Sequence, residues 1–387
     1  HHERETSVMA VPHLFLLVES YFRKQSKSKD LHGFENSLFS NRQNFYLVLI
    51  SLVLALQFLG DHPQYVLYTI FVLFIYYIFR VFSSEPRINF RNLLKYLSIF
   101  AIILLLFILL ASVQFLPLFE KFKFSSRQHG LGYEVATIGS APPYHFITML
   151  IPNFFGSYHN GSYWGVFAGW KIISYIGILP LIFVALSFLN RNKFIVFFAF
   201  LAAFSLIFAM GKYTPLFFLF YNIVPTFNLF RNPVRMVFFF NFAMIILVGF
   251  GANFFMSKLK PIRFKQILLV ILVVSIASIA ITALIYLFAS NIMGIGEKIL
   301  VNKISKASIQ LNSSEFYKER LKLAYDEIAC GFLILDAILL LTALLFYLQS
   351  RKPMPKLVKS LIFLIIFLDL GLYSMSFIQV KDPSIVF

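Results

Sequence analysis

"YLSIFAIILLLFILLASVQFL" (residues 96–116) contains no charged side chain over its whole length. A helix of this length rises about 1.5 Å per residue and crosses the roughly 30 Å hydrocarbon core of a bilayer. Charged side chains at that depth are costly, so a stretch of this kind predicts a transmembrane helix. Working outward, similar segments predict spans at 44–60, 64–82, 170–189, 194–210, 235–256, 266–290, 328–349 and 359–379, and the end of another at 8–21.

The composition extends this prediction to the whole chain of 387 residues. Hydrophobic residues make up 59% and charged residues only 13%, whereas soluble proteins carry about 25% charged residues. The mean hydropathy is +0.79. We therefore predict an all-α fold, a polytopic transmembrane helix bundle of about nine or ten spans. It forms a single transmembrane domain over residues 1–387, whose long outer loops carry short interfacial helices.

The positive charge of the chain predicts its orientation. The formal net charge is +17, which in a soluble protein would suggest a nucleic-acid partner. Here the basic residues concentrate in alternate short loops, and the positive-inside rule assigns such loops to the cytoplasm. We therefore expect no nucleic acid. The short basic loops lie around residues 23–42, 80–95, 191–193, 258–265 and 351–359.

The other set of loops is then extracytoplasmic. It comprises a tight turn at 61–63 and long loops at 117–169, 211–234 and 291–327. Residues 212–230 are apolar but contain two prolines, so we expect a broken or re-entrant segment rather than a full crossing. In 291–327, charges of both signs recur at near-helical spacing, which predicts an amphipathic helix on the outer surface.

"NLFRNPVRM" (228–236) places two arginines on the outer side, where orientation does not require them. Pro233 favours an extended chain at Asn232 and suits the first turn of a new helix. Free backbone N–H groups at that helix start, together with the guanidinium groups of Arg231 and Arg235, would bind a phosphate. The alternative is that both arginines are snorkelling anchors at the membrane surface.

The turn "GDHPQ" (60–64) contains an acid, an imidazole and an amide, although a turn between two helices requires none of them. Asp61 is a candidate base or metal ligand, and His62 is a candidate proton carrier. Gln64 lies beside them. The alternative is a solvated hairpin tip whose side chains have no chemical role.

The outer loop 117–169 is rich in Gly, Pro, Ser, Tyr and His, and a structured loop of this length is usually functional. Within it, "PPYHFITMLIPNFFG" (142–156) predicts a short interfacial helix that ends at Pro152. The alternative is a surface cover over the spans.

Two acidic residues, Asp336 and Asp369, fall within predicted spans. An acidic side chain within the membrane usually contacts other protein groups or a water-filled cavity rather than lipid. Asp336 and Asp369 are therefore either hydrogen-bonded structural groups or part of an ion path. The single cysteine, Cys330, excludes an internal disulfide and a CxxC metal site. No P-loop, GxGxxG turn or HExxH helix is present. The sequence therefore identifies no cofactor, although a divalent metal ion is one that it allows.

Several stretches together carry a family resemblance. The chain resembles the bacterial YfhO-type membrane proteins from about residue 8 to residue 387. The matching stretches are "ALQFLGDHPQYVLY" (55–68), "ASVQFLPLFEKFKFSSRQ" (111–128), "MLIPNFFG" (149–156), "YIGILPL" (175–181) and "FNLFRNPVRM" (227–236). The family pattern has Gly before the His-Pro-Gln turn, where this chain has Asp61.

The resemblance implies a GT-C-like glycosyltransferase of the bacterial cytoplasmic membrane that works on the extracytoplasmic face. It implies a polyprenyl-phosphate-linked sugar as donor, a teichoic-acid-type cell-envelope polymer as acceptor, and membrane lipid as a further partner. It also implies that the main catalytic acid lies in further N-terminal spans, and that a C-terminal region follows "KDPSIVF" (381–387). Asp61 and His62 are then secondary catalytic candidates. The residues assigned to substrate binding are Arg231, Arg235, Arg127, Gln64, Glu134, His145 and Asn153.

Two other functions fit the same residues. A transporter or flippase of a lipid-linked glycan would use the outer arginines, with Asp336 and Asp369 as an ion path. Inverted repeats with paired broken helices would favour it, and only one broken segment is visible. A non-catalytic assembly partner in the membrane is the other alternative.

Overall fold

The structure, a computed structural model, describes residues 5–32, 41–85, 87–125, 127–157, 160–165, 174–224, 226–257, 261–307, 314–351 and 355–375. Over these residues the chain is mainly helical and contains no β-strand, which confirms the all-α prediction. The α-helices are α1 (Glu5–His32), α2 (Asn41–Gly60), α3 (Pro63–Ser84), α4 (Phe90–Leu110), α5 (Ser112–Lys123), α6 (Tyr133–Ala136), α7 (Ile178–Ser187), α8 (Lys193–Ala209), α9 (Pro215–Ile223), α10 (Val237–Ser257), α11 (Pro261–Leu287), α12 (Ala289–Ala307), α13 (Ser314–Arg351) and α14 (Pro355–Met375).

Seven helices among the described residues are long and apolar enough to cross a membrane. Two shorter apolar helices, α7 and α8, accompany them. A polytopic membrane protein follows from these lengths and compositions. The seven candidate spans are Gln43–Gly60, Pro63–Ser84, Phe90–Leu110, Pro233–Met256, Arg263–Leu287, Lys318–Ser350 and Lys356–Ser374.

The helix bounds differ clearly from two of the predicted spans. The helix within predicted span 96–116 starts at Phe90 and stops at Leu110, and the separate helix α5 follows. In predicted span 170–189, helix begins only at Ile178, because residues 174–177 are irregular and 166–173 lie outside the described residues. The region 291–327, for which the charge spacing predicted a helix, is helical wherever it is described.

The chain forms two compact units. The first comprises His1–Ala136 and Tyr221–Arg231, and the second comprises Thr137–Phe220 and Asn232–Phe387. The single transmembrane domain over residues 1–387 stays a prediction.

In the first unit, α1 packs against α2 and α3, and α2 packs against α4. Aromatic side chains form part of the contact between α1 and α3, where the centre of the Phe22 ring lies 5.4 Å from that of Tyr77. The Arg80 side chain is buried in α3 and pairs with Glu19 of α1 at 2.9 Å. The sequence predicted Arg80 to be one of the basic loop residues. In the structure its guanidinium pairs with Glu19 inside the helix bundle, where an unpaired charge would destabilise the fold.

In the second unit, α10 packs against α7 and α8, and α11 packs against α13. The rings of Phe183 and Phe346 lie 5.6 and 4.8 Å from that of Phe255. Gly251 of α10 lies against the backbone carbonyl of Phe183, and a Cβ there would overlap that oxygen. The lack of a side chain therefore permits the close approach of α7 and α10.

The two acids in the predicted spans are hydrogen-bonded within the second unit. Asp336 on α13 accepts hydrogen bonds from the hydroxyl groups of Ser278 and Thr282 on α11, the latter at 2.7 Å. Asp369 on α14 accepts from the Tyr175 hydroxyl and, at 2.8 Å, from the backbone N–H of Ile178. Each acid therefore joins two segments that are distant in sequence.

Replacing Asp336 with Ala should destabilise the protein by about 1–3 kcal/mol, because two buried hydroxyl groups lose their acceptor. Thermal unfolding in detergent measures this. Asp326→Ala is the matched control, since Asp326 is exposed on the same helix. Equal unfolding temperatures for the two variants would contradict the proposed role of Asp336.

Candidate functional site

In the first unit, the predicted polar turn forms the start of α3. The backbone N–H of His62 donates to Asp61 Oδ1 at 2.6 Å. His62 is the N-cap residue, and its Nδ1 accepts from the backbone N–H of Gln64 at 3.2 Å. Gln64 is buried and donates to the Tyr68 hydroxyl at 2.9 Å. The three residues therefore lie together, and these hydrogen bonds stabilise the start of α3.

The segment before Arg231 packs against this turn. The ring of Phe227 stacks on Tyr68 at 5.7 Å, and the ring of Phe230 lies 6.2 Å from that of His62. The backbone carbonyl of Asn228 accepts from the N–H of Leu131 at 2.9 Å. This packing brings residues 61–68, 131 and 227–230 together.

The remaining site residues of the first unit lie nearer to solvent. Arg231 is exposed at the end of this unit, and Glu134 is exposed in the short helix α6. Arg127 is half-buried, and its backbone carbonyl accepts from the N–H of Gly130.

In the second unit, the predicted helix start at Pro233 is present as a short 3-10 helix, Pro233–Met236, that leads into α10. The predicted extended chain at Asn232 is wrong. Its φ of 65° and ψ of 69° are left-handed, a conformation that Asn tolerates better than most residues. The Asn232 N–H donates to Ile138 O at 3.1 Å, and Asn232 O accepts from the N–H of Arg235. The sequence predicted that free backbone N–H groups at this helix start would bind a phosphate. The backbone N–H of Arg235 instead donates its hydrogen bond within the turn. The Arg235 side chain is half-buried.

His145 lies in the core of the segment 137–165. It belongs to a 3-10 helix, Pro143–Met149, which lies within the stretch where the sequence predicted a short helix ending at Pro152. The imidazole is fully buried, stacks on Phe155 at 4.1 Å and contacts the Tyr163 hydroxyl through Nε2 at 3.2 Å. Burial lowers the pKa of His145 to about 4. It is therefore neutral at physiological pH and packs as a core residue.

Asn153 leads to a residue that the sequence did not single out. Its Nδ2 donates to Glu327 Oε2 at 2.9 Å, and Nδ2 of Asn160 donates to Glu327 Oε1 at 3.0 Å. Glu327 lies near the start of the apolar part of α13, and two amides from the 153–160 segment hold its carboxylate. In sequence it was one of several charges in the region 291–327, and only the contact with residues about 170 positions earlier distinguishes it.

Asn153 and Glu327 border a cleft in the second unit. Its volume is about 60 Å³, and its polar lining comes from Asn153, Tyr175, Glu327, Asp369 and Tyr373. Asp369 is buried and already accepts two hydrogen bonds. Each Glu327 oxygen accepts one described hydrogen bond and has a second lone pair. The cleft therefore presents a carboxylate that can accept hydrogen bonds from the hydroxyl groups of a ligand.

No group of three or more His, Cys, Asp or Glu side chains that could hold a metal ion occurs among the residues that the structure describes. The candidate site itself contains carboxylate, amide and phenol groups, which form hydrogen bonds with one another.

Apolar helices long enough to span a bilayer define the chain as a polytopic α-helical membrane protein. A family model described as Bacterial membrane protein YfhO matches residues 32–384, so the chain belongs to the YfhO family. No curated protein and no solved structure matches the chain.

The buried imidazole gives the protein a measurable pH dependence. Folded His145 resists protonation, whereas the unfolded chain binds a proton below about pH 6.5. Its contribution to stability is therefore complete above pH 6.5 and is lost as the pH falls towards 4. His145→Gln should reduce the fall in unfolding temperature between pH 6.5 and 4, relative to the natural chain. Identical pH profiles for the two proteins would contradict the burial of a neutral histidine.

Proposed function

We propose that the chain is an integral membrane glycosyltransferase of the bacterial cytoplasmic membrane. It transfers a sugar from a polyprenyl-phosphate donor to a teichoic-acid-type polymer on the outer face. The proposal rests on the family resemblance and on the cleft at Glu327. The Glu327 carboxylate and the Asn153 amide border the cleft, and such groups suit the binding of hydroxyl groups; both substrates of such a transfer are polyhydroxylated.

The length of α13 supports a substrate site beside the bilayer. Its 38 residues extend about 57 Å, nearly twice the roughly 30 Å thickness of the hydrocarbon core. From Ile328 onward its only charged residue before Arg351 is Asp336. The preceding part carries Arg320, Lys322, Asp326 and Glu327, so Glu327 falls at the boundary between the polar and apolar parts. A lipid-linked substrate presents its head group at such a boundary.

The chemistry needs no nucleotide. A hydroxyl oxygen of the acceptor forms a bond to C1 of the donor sugar, and the bond from C1 to the phosphate oxygen breaks. Polyprenyl phosphate leaves with the electron pair, and the hydroxyl proton passes to a base. Positive groups near the leaving phosphate lower the barrier because they stabilise its developing charge. We assign this role to Arg231 and Arg235, whose planar guanidinium groups suit phosphate oxygens.

The hydrogen bonds of the two intramembrane acids weigh against the transport alternative. Asp336 accepts from two hydroxyl groups, and Asp369 accepts from a hydroxyl and a backbone N–H. An acid that carries a proton or ion through the membrane has to exchange its partners with water. Both acids instead join helices of the second unit, which favours the structural interpretation.

Arg231→Ala and Arg235→Ala should each lower sugar incorporation into the envelope polymer by about 10- to 100-fold. Charge-assisted hydrogen bonds contribute about 1.5–3 kcal/mol, and 1.4 kcal/mol corresponds to a tenfold change. Incorporation of radiolabelled sugar, normalised to the amount of folded protein, measures this.

Arg191→Ala is the matched control, since Arg191 is an exposed arginine in a short loop predicted to be cytoplasmic. Unchanged incorporation in both Arg231→Ala and Arg235→Ala would count against the assignment. Equal loss in the control would show that the effect comes from the charge of the protein in general.

A further inference from the structure

Helix α5 (Ser112–Lys123) has little packing within the first unit, and the proposed function does not use it. None of its 12 residues is buried. The side chain of Val113 is 82% exposed, that of Leu116 65% and that of Phe119 53%. So many apolar side chains on one short helix are unfavourable in water. The helix therefore requires an apolar partner, which the described residues supply for only a small part of its surface.

The contacts between α2 and α4 locate the start of α5. The Ser51 hydroxyl donates to the Ile103 carbonyl at 3.0 Å, and the ring of Phe58 lies 5.9 Å from that of Phe107. These two helices therefore run side by side, and α2 ends at Gly60, where the polar turn follows. The 21 residues of α4 rise about 32 Å, close to the roughly 30 Å thickness of the hydrocarbon core. α5 therefore begins at the surface of the membrane.

The sequence of α5 forms an apolar stripe along one side of the helix. Its members recur at intervals of three and four residues, so they share a face; they are Phe115, Leu118, Phe119 and Phe122. The ring of Phe115 lies 6.0 Å from that of Phe58 of α2, so the stripe begins against the helix bundle. Further along, Leu118 and Phe119 are exposed. Glu120 falls on the opposite side of the helix, with Lys121 and Lys123 flanking it.

The two lysines suit the head-group region of a bilayer. Lys121 and Lys123 are exposed in the last turn of α5, and Lys123 Nζ lies 5.1 Å from the centre of the Phe119 ring. A lysine at a membrane surface covers apolar groups with its methylene chain and extends its ammonium group to the polar layer. Phe and Leu on one side and Lys on the other are typical of a helix that lies in the membrane interface.

From these observations we propose that α5 binds the phospholipid surface as a helix parallel to the membrane plane. The apolar stripe contacts acyl chains, and Lys121 and Lys123 contact lipid phosphate groups. The exposed apolar side chains of Leu109 and Leu110 at the end of α4 continue directly into this surface, so lipid covers both helices without interruption. The orientation predicted from the basic loops makes this the outer leaflet. The proposal does not depend on sugar transfer.

A nitroxide scan of the full chain in phospholipid nanodiscs tests this. Single cysteines replace positions 113 to 123 one at a time, with Cys330 replaced by Ser, and each is spin-labelled. Electron paramagnetic resonance then gives the collision rates of each label with oxygen, which concentrates in lipid, and with a nickel chelate, which stays in water. We expect oxygen collisions to peak at positions 118, 119 and 122, and nickel collisions to peak at 117 and 120.

Two further labelled proteins calibrate the scan. Leu109→Cys gives the value for lipid, since Leu109 is 61% exposed on the candidate span α4. Arg191→Cys gives the value for water, since Arg191 is exposed in the turn between α7 and α8. Each position of α5 is then compared with these two limits.

Three other patterns would each overturn the proposal. High nickel collisions at every position would show that water surrounds α5. Low collision rates with both reagents along the stripe would show that a second copy of the chain, or another protein surface, covers it. A steady change from position 113 to position 123 without a helical period would show that α5 continues the crossing instead of lying in the membrane plane.

Phe119→Glu provides a second test, because it places a charge in the apolar stripe, where contact with lipid becomes unfavourable. Nickel collisions of a label at position 122 should rise several-fold in this variant. Val113→Glu is the matched control, since it adds the same charge at an exposed residue on the opposite side of α5, and the label should respond little. Equal responses in the two variants would contradict the binding of lipid by the stripe.

Discussion

A carboxylate on an apolar helix has to accept hydrogen bonds, and this constraint organises the second unit. Glu327, Asp336 and Asp369 each accept from donors on segments distant in sequence. An unsatisfied buried polar group costs about 1–3 kcal/mol, and a charged one costs more. The three acids therefore determine which segments lie together. Asp336 joins α11 to α13, Asp369 joins the start of α7 to α14, and Glu327 holds the 153–160 segment against α13.

The three acids differ in what they leave for a ligand. Asp336 and Asp369 are buried, and their oxygens accept hydrogen bonds from the protein. Glu327 is only partly buried and borders the cleft. The carboxylates of Asp336 and Asp369 thus stabilise the helix bundle, whereas the carboxylate of Glu327 is a candidate group for binding a ligand. The difference follows from the place of each acid along its helix, because only Glu327 lies before the apolar part of α13 begins.

The helices were predictable from the sequence because long uncharged runs have few other structures available in a bilayer. Their ends were less predictable. Leu110 ends α4 within a run that stays apolar, and α7 begins at Ile178 although the preceding residues are also compatible with a span. Arg80 was read as a loop charge, since its partner Glu19 lies 61 positions earlier and no local pattern connects them.

The candidate site was predictable only in part. The turn at Asp61, His62 and Gln64 is local in sequence, and the structure keeps these residues together. Asn153 was selected, but its partner Glu327 depends on tertiary contact. His145 was selected for its imidazole, and the ring is buried against Phe155. The left-handed Asn232 results from its backbone hydrogen bond to Ile138, which outweighs the usual preference of a residue before proline for an extended chain.

The central claim of this account is that the 137–165 segment, which contributes Asn153 to the cleft, faces the outside of the cell. Two single-cysteine proteins test it, each with Cys330 replaced by Ser. One carries Tyr144→Cys in that segment, and the other carries Arg191→Cys in the turn between α7 and α8; both positions are exposed. A membrane-impermeant maleimide applied to intact cells should label position 144 and reach position 191 only after permeabilisation. The reverse pattern would contradict the account, because it would place the cleft on the cytoplasmic side, away from an outer-face acceptor.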